Sequence, residues 1–279
     1  AHTPHFTAVI DGPSHTTVAA SNVLNAAGQP VRLVQSGSYL KALGLLTIED
    51  GKVADSRLMT SLGPTNRIVN VAESALMAKV NAWLGRKLAV SDVRMQRYGH
   101  SRNETGETNL GDFATDALWW FASTYAKGGC DLALVNYAGL RSNIASGDVT
   151  LRTANDVCPF GNAVCVIEAT GRQLRDALEW GARKTPDYVG AFLHCAGMRY
   201  TIVTSRPSTV ASRNGVWTGG PTNGVYRVQG IEVCDRATRR FLPLDLERTY
   251  RIAGCDYTLR YCGEGIDMHG TCKAVAEHL

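Results

Sequence analysis

Residues 163–178 read AVCVIEATGRQLRDAL. The apolar run at 163–167 is typical of a buried strand. Thr170 and Gln173 then form the pattern of a capping box, and Leu174, Ala177 and Leu178 share one face of the helix that follows. A buried strand that runs directly into an amphipathic helix predicts mixed α and β structure in this part of the chain.

Strands and helices alternate irregularly on both sides of this stretch. Further strands are predicted at 132–135, ending at Asn136, and at 199–203, 225–234 and 249–254. A helix is predicted from the apolar positions Leu110, Phe113, Ala114, Ala117, Leu118 and Phe121. Irregular alternation with hairpins favours an α+β fold over a doubly wound parallel sheet.

The first part of the chain has a different pattern. Strands are predicted at 8–11, 31–36 and 43–48, and Asp50-Gly51 is a hairpin signal. Residues 66–84 then follow helical spacing, with Asn66 as the cap and Gly85 at the end. The sequence therefore predicts a β-rich unit at 1–64, a connector helix at 65–88 and a second domain at 89–279.

Composition excludes several classes of protein. The 279 residues carry 29 Lys+Arg and 25 Asp+Glu, a formal charge of +4. This balance is too weak to indicate a nucleic-acid or membrane-surface binder. No stretch approaches the roughly 18 apolar residues that a transmembrane helix requires.

The eight cysteines permit two interpretations. An even count allows four disulfides, and Cys158 and Cys165 flank a predicted turn at 159–162, where they would face each other across a hairpin. Alternatively, most of them are small buried hydrophobic residues, as free cysteines often are. No C-x-x-C spacing occurs, which argues against a zinc ribbon or a thioredoxin-type redox site.

Two turns that follow predicted strands carry candidate ligand groups. His15 lies in the turn DGPSHT at 11–16, where it is either a metal ligand or a structural, exposed residue. Asn136 and Arg141 lie in NYAGLR at 136–141. An Asn amide suits the edge of a base and an Arg fork suits phosphate or carboxylate, although a polar loop with a solvated Arg has the same pattern.

Two further turns carry aromatic and acidic groups. Phe160 lies in PFGN at 159–162, either tucked into the core or exposed as a stacking platform. Tyr257 precedes the glycine-rich turn CGEG at 262–265, which contains Glu264. Two aromatic rings and a carboxylate together would suit a nucleoside, with the rings on the base and the carboxylate on the ribose hydroxyls.

Taken in order, these segments resemble the 5′-nucleotidase family, which includes UDP-sugar hydrolases and 2′,3′-cyclic phosphodiesterases. The resemblance rests on motifs whose order and spacing are specific: ETNLGD at 107–112 with Asp116-Ala117, NYAGLR at 136–141, PFGN at 159–162, TGRQL at 170–174 with Leu178-Glu179, and CGEG at 262–265. It implies a complete, mixed-sheet C-terminal substrate-binding domain from about residue 90.

Residues 8–63 resemble the last part of the family's N-terminal metallophosphoesterase domain. DGPSHT matches the GHxH-type metal turn, with His15 as a metal ligand and Pro13 in place of the first His. The resemblance implies two divalent metal ions (Zn, Mn, Mg or Ca) in the full-length enzyme, whose other ligands lie upstream. We therefore expect no tight metal binding by the chain as given.

The resemblance also implies roles for individual residues in the C-terminal domain. Phe160 and Tyr257 would sandwich the base, Asn136 would contact the base edge and Arg141 the sugar or phosphate side. Glu264 would bind the ribose hydroxyls, in place of the Asp of a GGDG pattern whose first Gly is replaced by Cys262. Arg102 is the candidate for the Arg that precedes the ETNLG segment.

These residues predict the nucleotide-recognition part of a metal-dependent, extracytoplasmic phosphohydrolase. The helix at 66–84 would be the connector around which the two domains rotate. The alternative is a non-catalytic nucleoside-binding or surface-interaction module, which the departures at Pro13, Cys262 and Glu264 would suit. Asp-x-His and Gly-Asn-His motifs upstream would distinguish the enzyme from the module.

Overall fold

The computed structural model describes residues 6–12, 14–61, 63, 66–98 and 104–268, together with the backbone of 271–274. The chain divides into two compact units between Lys79 and Val80, a boundary that falls inside a helix. Each unit is described separately below.

The N-terminal unit contains one small mixed sheet and one hairpin. Its strands are β1 (Ala8–Ile10), β2 (Thr17–Leu24), β3 (Pro30–Ser36), β4 (Leu43–Glu49) and β5 (Lys52–Met59). The sheet has the order β1-β3-β2, with β1 parallel and β2 antiparallel to β3, and β4 pairs with β5. β1, β3 and β4 correspond to the predicted strands, whereas β2 and β5 were not predicted.

The predicted hairpin is confirmed in the turn between β4 and β5. Asp50 and Gly51 both have positive φ, at 48° and 74°. Two successive left-handed residues suit the right-handed twist of a two-residue hairpin, which explains why Asp-Gly stands there.

The predicted helix 66–84 is α1 (Arg67–Leu84). Asn66 caps it, because its Oδ1 accepts hydrogen bonds from the backbone nitrogens of Ile68 at 2.9 Å and Val69 at 3.4 Å. No residue of α1 is buried. Its apolar positions therefore follow helical spacing without forming part of a core.

The C-terminal unit interleaves strands and helices, as the sequence predicts for an α+β fold. Its elements are β6 (Lys87–Ser91), α2 (Asn109–Tyr125), β7 (Leu132–Asn136), β8 (Gly147–Thr150), α3 (Leu151–Val157), β9 (Val164–Thr170), α4 (Gly171–Ala182), β10 (Leu193–Ala196), β11 (Met198–Ile202), β12 (Ser212–Arg213), β13 (Val216–Trp217), β14 (Val228–Cys234), β15 (Phe241–Pro243), β16 (Thr249–Cys255), α5 (Asp256–Leu259) and β17 (Thr271–Ala274).

A five-stranded mixed sheet forms the centre of this unit. Its order is β10-β7-β16-β9-β17, in which β16 is parallel to β7 and the other neighbours are antiparallel. A three-stranded sheet has the order β11-β14-β15, and β6 pairs with β8 and β12 with β13. The mixed sheets and the helices between them confirm the predicted fold class.

Both faces of the central sheet are covered. On β7 and β16, Leu132, Leu134 and Ile252 belong to one buried cluster, which also contains α4 residues. The intervening Ala133 and Ala253 belong to a second cluster, with Ala122 of α2. Because successive side chains point to opposite faces, a strand covered on both sides reads as a continuous apolar run.

The capping box that begins α4 is confirmed. The Thr170 hydroxyl accepts from the Gln173 backbone nitrogen at 3.2 Å, and the Gln173 Oε1 accepts from the Thr170 nitrogen at 2.8 Å. Glu179 is fully buried at the end of this helix, where its Oε2 accepts from the backbone nitrogens of Arg227 and Val228 at 2.8 and 2.9 Å. Glu179 is thus a structural residue that fixes the start of β14.

The predicted buried face of α2 is correct at four of its six positions. Leu110 is buried and Ala114, Leu118 and Phe121 are partly buried, whereas Phe113 is 52% exposed and Ala117 is exposed. Ala122 of α2 shares a buried cluster with Ala133 and Ala253 of the central sheet. The helical period is therefore confirmed, and the prediction fails at Phe113 and Ala117.

Two expectations about the segment 158–165 are also wrong. The residues before Pro159 form α3 rather than a strand, so Cys158 and Cys165 do not face each other across a hairpin. Apart from Cys272, which lies outside the side chains that the structure describes, all of the cysteines are unbridged. Cys130, Cys165 and Cys234 are buried, as expected for small hydrophobic residues.

Candidate functional site

Four strand ends meet at one edge of the central sheet. Cys255, at the end of β16, pairs with Val164 at the start of β9, and Asn136, at the end of β7, pairs with Leu193 at the start of β10. Since β7 and β16 are parallel, both pairs lie at the same edge. The loops that follow Asn136 and Cys255 and precede Val164 and Leu193 therefore surround a common site.

Asn136 is fixed in the floor of this site. It is 1% exposed, and its Oδ1 accepts a hydrogen bond from the Thr258 hydroxyl at 3.0 Å. A Cβ at Gly139 would lie 2.8 Å from the same oxygen, so the turn after Asn136 requires glycine there. With its carbonyl oxygen engaged by Thr258, Asn136 retains its amide nitrogen as a donor.

Phe160 and Tyr257 are exposed aromatic residues of the site. Phe160 is 58% exposed and Tyr257 is 42% exposed, so Phe160 is not tucked into the core. Phe160 follows α3 and precedes β9, rather than joining two strands as predicted. Exposed rings of this size are available for stacking against a ligand.

Asp256 joins the loops that carry these two aromatic residues. Its backbone nitrogen donates to the Ala163 carbonyl at 2.9 Å, and its Oδ1 accepts from the Ala163 nitrogen at 3.1 Å. The same Oδ1 accepts from the Tyr257 nitrogen at 2.8 Å. The spacing between the two loops is thus fixed by reciprocal hydrogen bonds.

A cavity of about 240 Å³ opens beneath Phe160. Asn136, Leu140 and Cys255 line it together with residues of α2, among them Leu118. Its lining is predominantly apolar, with Asn136 as a polar group of known orientation. This combination suits a flat, partly apolar ligand with hydrogen-bonding edges.

Arg141 and Glu264 supply opposite charges near these groups. The Arg141 guanidinium carbon lies 5.7 Å from the centre of the Phe160 ring, and its Nη1 donates to the Ala138 carbonyl at 3.4 Å. Burial raises the pKa of Glu264, and the guanidinium groups of Arg183 and Arg141 partly offset that rise. Both guanidinium groups therefore act electrostatically on the carboxylate of Glu264.

The turn that carries Glu264 is held by its neighbours. Cys262 and Glu264 have φ values of 55° and 56°, in the left-handed region that glycine adopts most easily. The Trp180 indole nitrogen donates to the Glu264 carbonyl at 2.9 Å. A Cβ at Gly190 would lie 2.7 Å from the Glu264 Oε2, so Gly190 leaves space for this longer carboxylate.

The ETNLGD segment contributes mainly to architecture. The Thr108 hydroxyl caps α2 by accepting from the Gly111 nitrogen at 3.1 Å. A Cβ at Gly111 would overlap the ring of His194, which is 3% exposed. Burial lowers the pKa of His194 to about 4, so its imidazole is neutral at physiological pH.

His15 belongs to the N-terminal unit. It is exposed, has a φ of 56° and lies edge-on to Tyr39, with ring centres 6.5 Å apart. Gln35, from β3, fixes the turn around it, because its Oε1 accepts from the hydroxyls of Ser14 at 3.0 Å and Thr16 at 3.1 Å. Pro13 and Arg102 lie outside the described residues.

The described residues do not form a metal centre by themselves. Across the part of the chain that the structure describes, no group of three or more His, Cys, Asp or Glu side chains is arranged to hold a metal ion. His15 would therefore need ligands from other residues. No described helix is long and apolar enough to cross a membrane.

Reasoning from the sequence missed four residues that shape the site. Asp256 and Thr258 position Tyr257 and Asn136, and Arg183 and Gly190 border Glu264. The adjacency of Asp256 to Tyr257 was a usable signal, because Asp at a helix start commonly bonds backbone nitrogens. Arg183 and Gly190 reach Glu264 only through the tertiary fold.

Comparisons with known proteins agree with this arrangement. The family model for the 5′-nucleotidase C-terminal domain matches residues 87–271. The chain is 29% identical over 239 residues to the trifunctional nucleotide phosphoesterase protein YfkN of Bacillus subtilis, covering 79% of this chain and 16% of that protein. It is 28% identical over 191 residues to the cell wall protein Lmo0130 of Listeria monocytogenes, covering 61% of this chain and 24% of that protein.

A solved structure extends the comparison to the fold. The 5′-nucleotidase precursor from Thermus thermophilus superposes with a TM-score of 0.59 at 28% identity, covering 91% of this chain and 48% of that one. The chain thus spans less than half the length of each of these three proteins.

Proposed function

The chain belongs to the 5′-nucleotidase family, and on this premise we propose that its C-terminal domain is the nucleotide-recognition part of a metal-dependent phosphohydrolase. The whole protein would hydrolyse nucleoside phosphates. The observation that carries the proposal is the common edge of the central sheet, where exposed Phe160 and Tyr257 stand beside buried Asn136 and charged Glu264.

In this proposal each group at the edge binds one part of a nucleoside. Phe160 and Tyr257 stack on the two faces of the base, since their loops are held together through Asp256. Asn136 donates its amide nitrogen to an acceptor on the base edge. Glu264 accepts from the ribose hydroxyls, and Arg141 binds the sugar or phosphate side.

The metal ions of the family would supply Lewis-acid chemistry at the phosphoryl group when bound. His15 is the candidate ligand in this chain, but the described residues do not complete a metal site around it. Arg102 remains a proposed substrate contact. The proposed domains are 1–64, the connector helix 65–88, and 89–279.

Calorimetric titration of the chain with adenosine tests the proposal. We expect weak but measurable binding, and we expect Phe160→Ala and Tyr257→Ala each to weaken it about 5- to 150-fold, the equivalent of about 1–3 kcal/mol per stacked ring. Tyr125→Ala is the matched control, because Tyr125 is also an exposed aromatic residue, 62% exposed, at the end of α2. Adenosine affinity that survives the double variant Phe160→Ala, Tyr257→Ala would refute the stacking assignment.

The same preparations, supplied with Mn²⁺ or Zn²⁺, are expected to leave AMP intact, because His15 is the one metal ligand that the family resemblance assigns to this chain. AMP hydrolysis that His15→Ala abolishes would contradict this expectation. The second candidate, a non-catalytic nucleoside-binding or surface-interaction module, rests on the departures from the family pattern at Cys262 and Glu264, which both have left-handed backbone in this turn. A full-length protein that binds adenosine but never hydrolyses AMP would favour the module.

We also propose an extracytoplasmic location. The support is that one relative, Lmo0130 of Listeria monocytogenes, is named a cell wall protein. Fractionation of cells that express the full-length protein checks this, and recovery of the protein in the cytoplasm alone would refute it.

A further inference from the structure

A cleft outside the nucleoside site is lined by an excess of positive charge. We call it the basic cleft and define it by Arg183, Lys184, Thr185, Arg206, Ser208 and Arg227. It has a volume of about 450 Å³. Four cationic side chains line the cleft, whereas Asp187 is the one acidic residue among its lining residues.

Arg227 brings a buried charge to the basic cleft. It is 4% exposed, and its guanidinium donates to the carbonyls of Ala182 at 2.5 Å and Thr185 at 2.6 Å. Within the described part of the chain, no carboxylate forms an ion pair with it, and its Nε is buried without a hydrogen-bond partner. Backbone carbonyls satisfy most of its donors, and the buried carboxylate of Glu179 accepts from the Arg227 backbone nitrogen at 2.8 Å rather than from its guanidinium.

Two hydroxyl groups of the basic cleft are also without partners. Thr185 is 6% exposed, and its Oγ1 has no hydrogen-bond partner among the described residues. The Oγ of Ser208 is likewise buried and unpartnered in the described structure. Buried hydroxyls are usually hydrogen-bonded, and these two belong to residues that line the same cleft as Arg227, whose Nε is also without a partner among the described residues.

Two further cations stand at the cleft. Lys184 is exposed and forms no ion pair within the described residues. Arg206 donates to the Tyr226 carbonyl at 2.9 Å through Nη1. An oxyanion would accept hydrogen bonds from these hydroxyl and guanidinium donors. It would also compensate the positive charge of the arginine and lysine side chains.

From these donors we propose that the basic cleft is a binding site for a phosphate-type oxyanion. Thr185 and Ser208 donate their hydroxyl protons to it, and Arg227, Lys184 and Arg206 supply positive charge. The site is distinct from the aromatic pair of the nucleoside site. Its test with inorganic phosphate therefore stands or falls independently of the proposed function, whereas the comparison of nucleotides rests on that function.

Arg183 connects the basic cleft to the nucleoside site. Its guanidinium lies over the Trp180 ring at 3.7 Å, and it is the larger contributor of the two cations that lower the pKa of Glu264. If Glu264 holds the ribose, a phosphoryl group on the ribose hydroxyl side would approach the cleft. The anion is thus either free phosphate or a phosphoryl group of a nucleotide, and the experiment distinguishes the two.

Titration of the full chain with inorganic phosphate, at constant ionic strength against chloride, tests the site. We expect saturable binding, weakened about ten-fold in both Thr185→Val and Ser208→Ala, because a hydrogen bond to a charged group contributes about 1.5 kcal/mol or more. Lys184→Ala is expected to weaken phosphate binding several-fold. Lys127→Ala is the matched control, since Lys127 is exposed but does not line the cleft.

A thermal unfolding measurement without phosphate separates a binding role from a structural one. Thr185→Val and Ser208→Ala are expected to unfold at or above the temperature of the unmodified chain, because each removes a hydroxyl that has no partner to lose. The proposal would be overturned if the chain did not bind phosphate. It would also be overturned if Lys127→Ala weakened phosphate binding as much as Lys184→Ala does. Phosphate binding that is unchanged in Thr185→Val and Lys184→Ala would also overturn it.

Adenosine 3′-monophosphate and adenosine provide the second comparison. Tighter binding of the 3′-monophosphate, lost in Thr185→Val, assigns the cleft to a nucleotide phosphoryl group. Equal affinities for the two compounds, with phosphate binding retained, assign it to free phosphate.

Discussion

The two units of this chain differ in how much they bury. In the C-terminal unit, buried hydrophobic residues form clusters on both faces of the central sheet, with Leu132 and Ile252 fully buried. Among the described residues of the N-terminal unit, Val31 is the only hydrophobic residue that is buried. Backbone pairing defines strands in both units, but a close-packed core supports them only in the second.

This difference explains where the candidate site lies. Loops position functional groups precisely when the elements that carry them are rigid. Asn136, Phe160 and Tyr257 all adjoin strands of the buried sheet. His15, by contrast, lies on an exposed turn, where Gln35 accepts hydrogen bonds from the neighbouring side chains of Ser14 and Thr16.

The largest expected effect is a difference between the two units in the stability lost when an apolar side chain is shortened to alanine. Ile252→Ala in β16 is expected to lower the free energy of unfolding by about 3–4 kcal/mol, because it leaves a cavity in a fully buried position. Leu45→Ala in β4, where the side chain is 37% exposed, is expected to cost less than about 1 kcal/mol. Urea unfolding followed by circular dichroism measures both, and equal losses would show that the comparison between the units is wrong.

A smaller effect is expected from the buried imidazole of the C-terminal unit. His194 has a folded-state pKa of about 4, below the ordinary 6.5, so the folded state binds fewer protons than the unfolded state between these values. Its contribution is present above pH 6.5 and is lost as the pH falls toward 4, a change of about 3 kcal/mol. Urea unfolding at pH 7.5 and pH 4.5 measures it, in the unmodified chain and in His194→Phe.

We expect His194→Phe to show a weaker acid destabilisation than the unmodified chain. Identical pH dependence in the unmodified chain and His194→Phe would contradict the assignment.

The smallest expected effect concerns backbone strain. Cys262 and Tyr39 have left-handed φ values of 55° and 58°, one in each unit. Cys262→Gly is expected to stabilise the C-terminal unit by about 0.5–1 kcal/mol, since glycine adopts this conformation without the Cβ penalty. Tyr39→Gly is expected to leave the main thermal transition unmoved, and a shift as large as that of Cys262→Gly would remove the distinction between the units.

Sequence patterns predicted the parts of the fold that depend on local signals. The capping box at Thr170, the cap at Asn66 and the Asp50-Gly51 turn are all present. Each depends on a side chain and a backbone group a few residues away, so its information is contained in a short stretch of sequence.

The remaining features depend on contacts between distant segments. β2 and β5 carry apolar residues without regular alternation, so TVAASNVL and KVADSRLM gave no clear period. On α2, Phe113 and Ala117 are exposed although they share the helical spacing of the buried and partly buried positions. Arg183 and Gly190 approach Glu264 from segments more than 70 residues away, which no local pattern encodes.

The hydrogen bonds between Asp256 and Ala163 have a consequence for how bases would be distinguished. They fix the spacing of the backbones that carry Phe160 and Tyr257 before any ligand arrives, so the entropy of ordering these two loops is lost on folding. Every planar base would then be bound without a further cost of ordering the loops. Discrimination would then follow the area of ring overlap, which favours purines over pyrimidines.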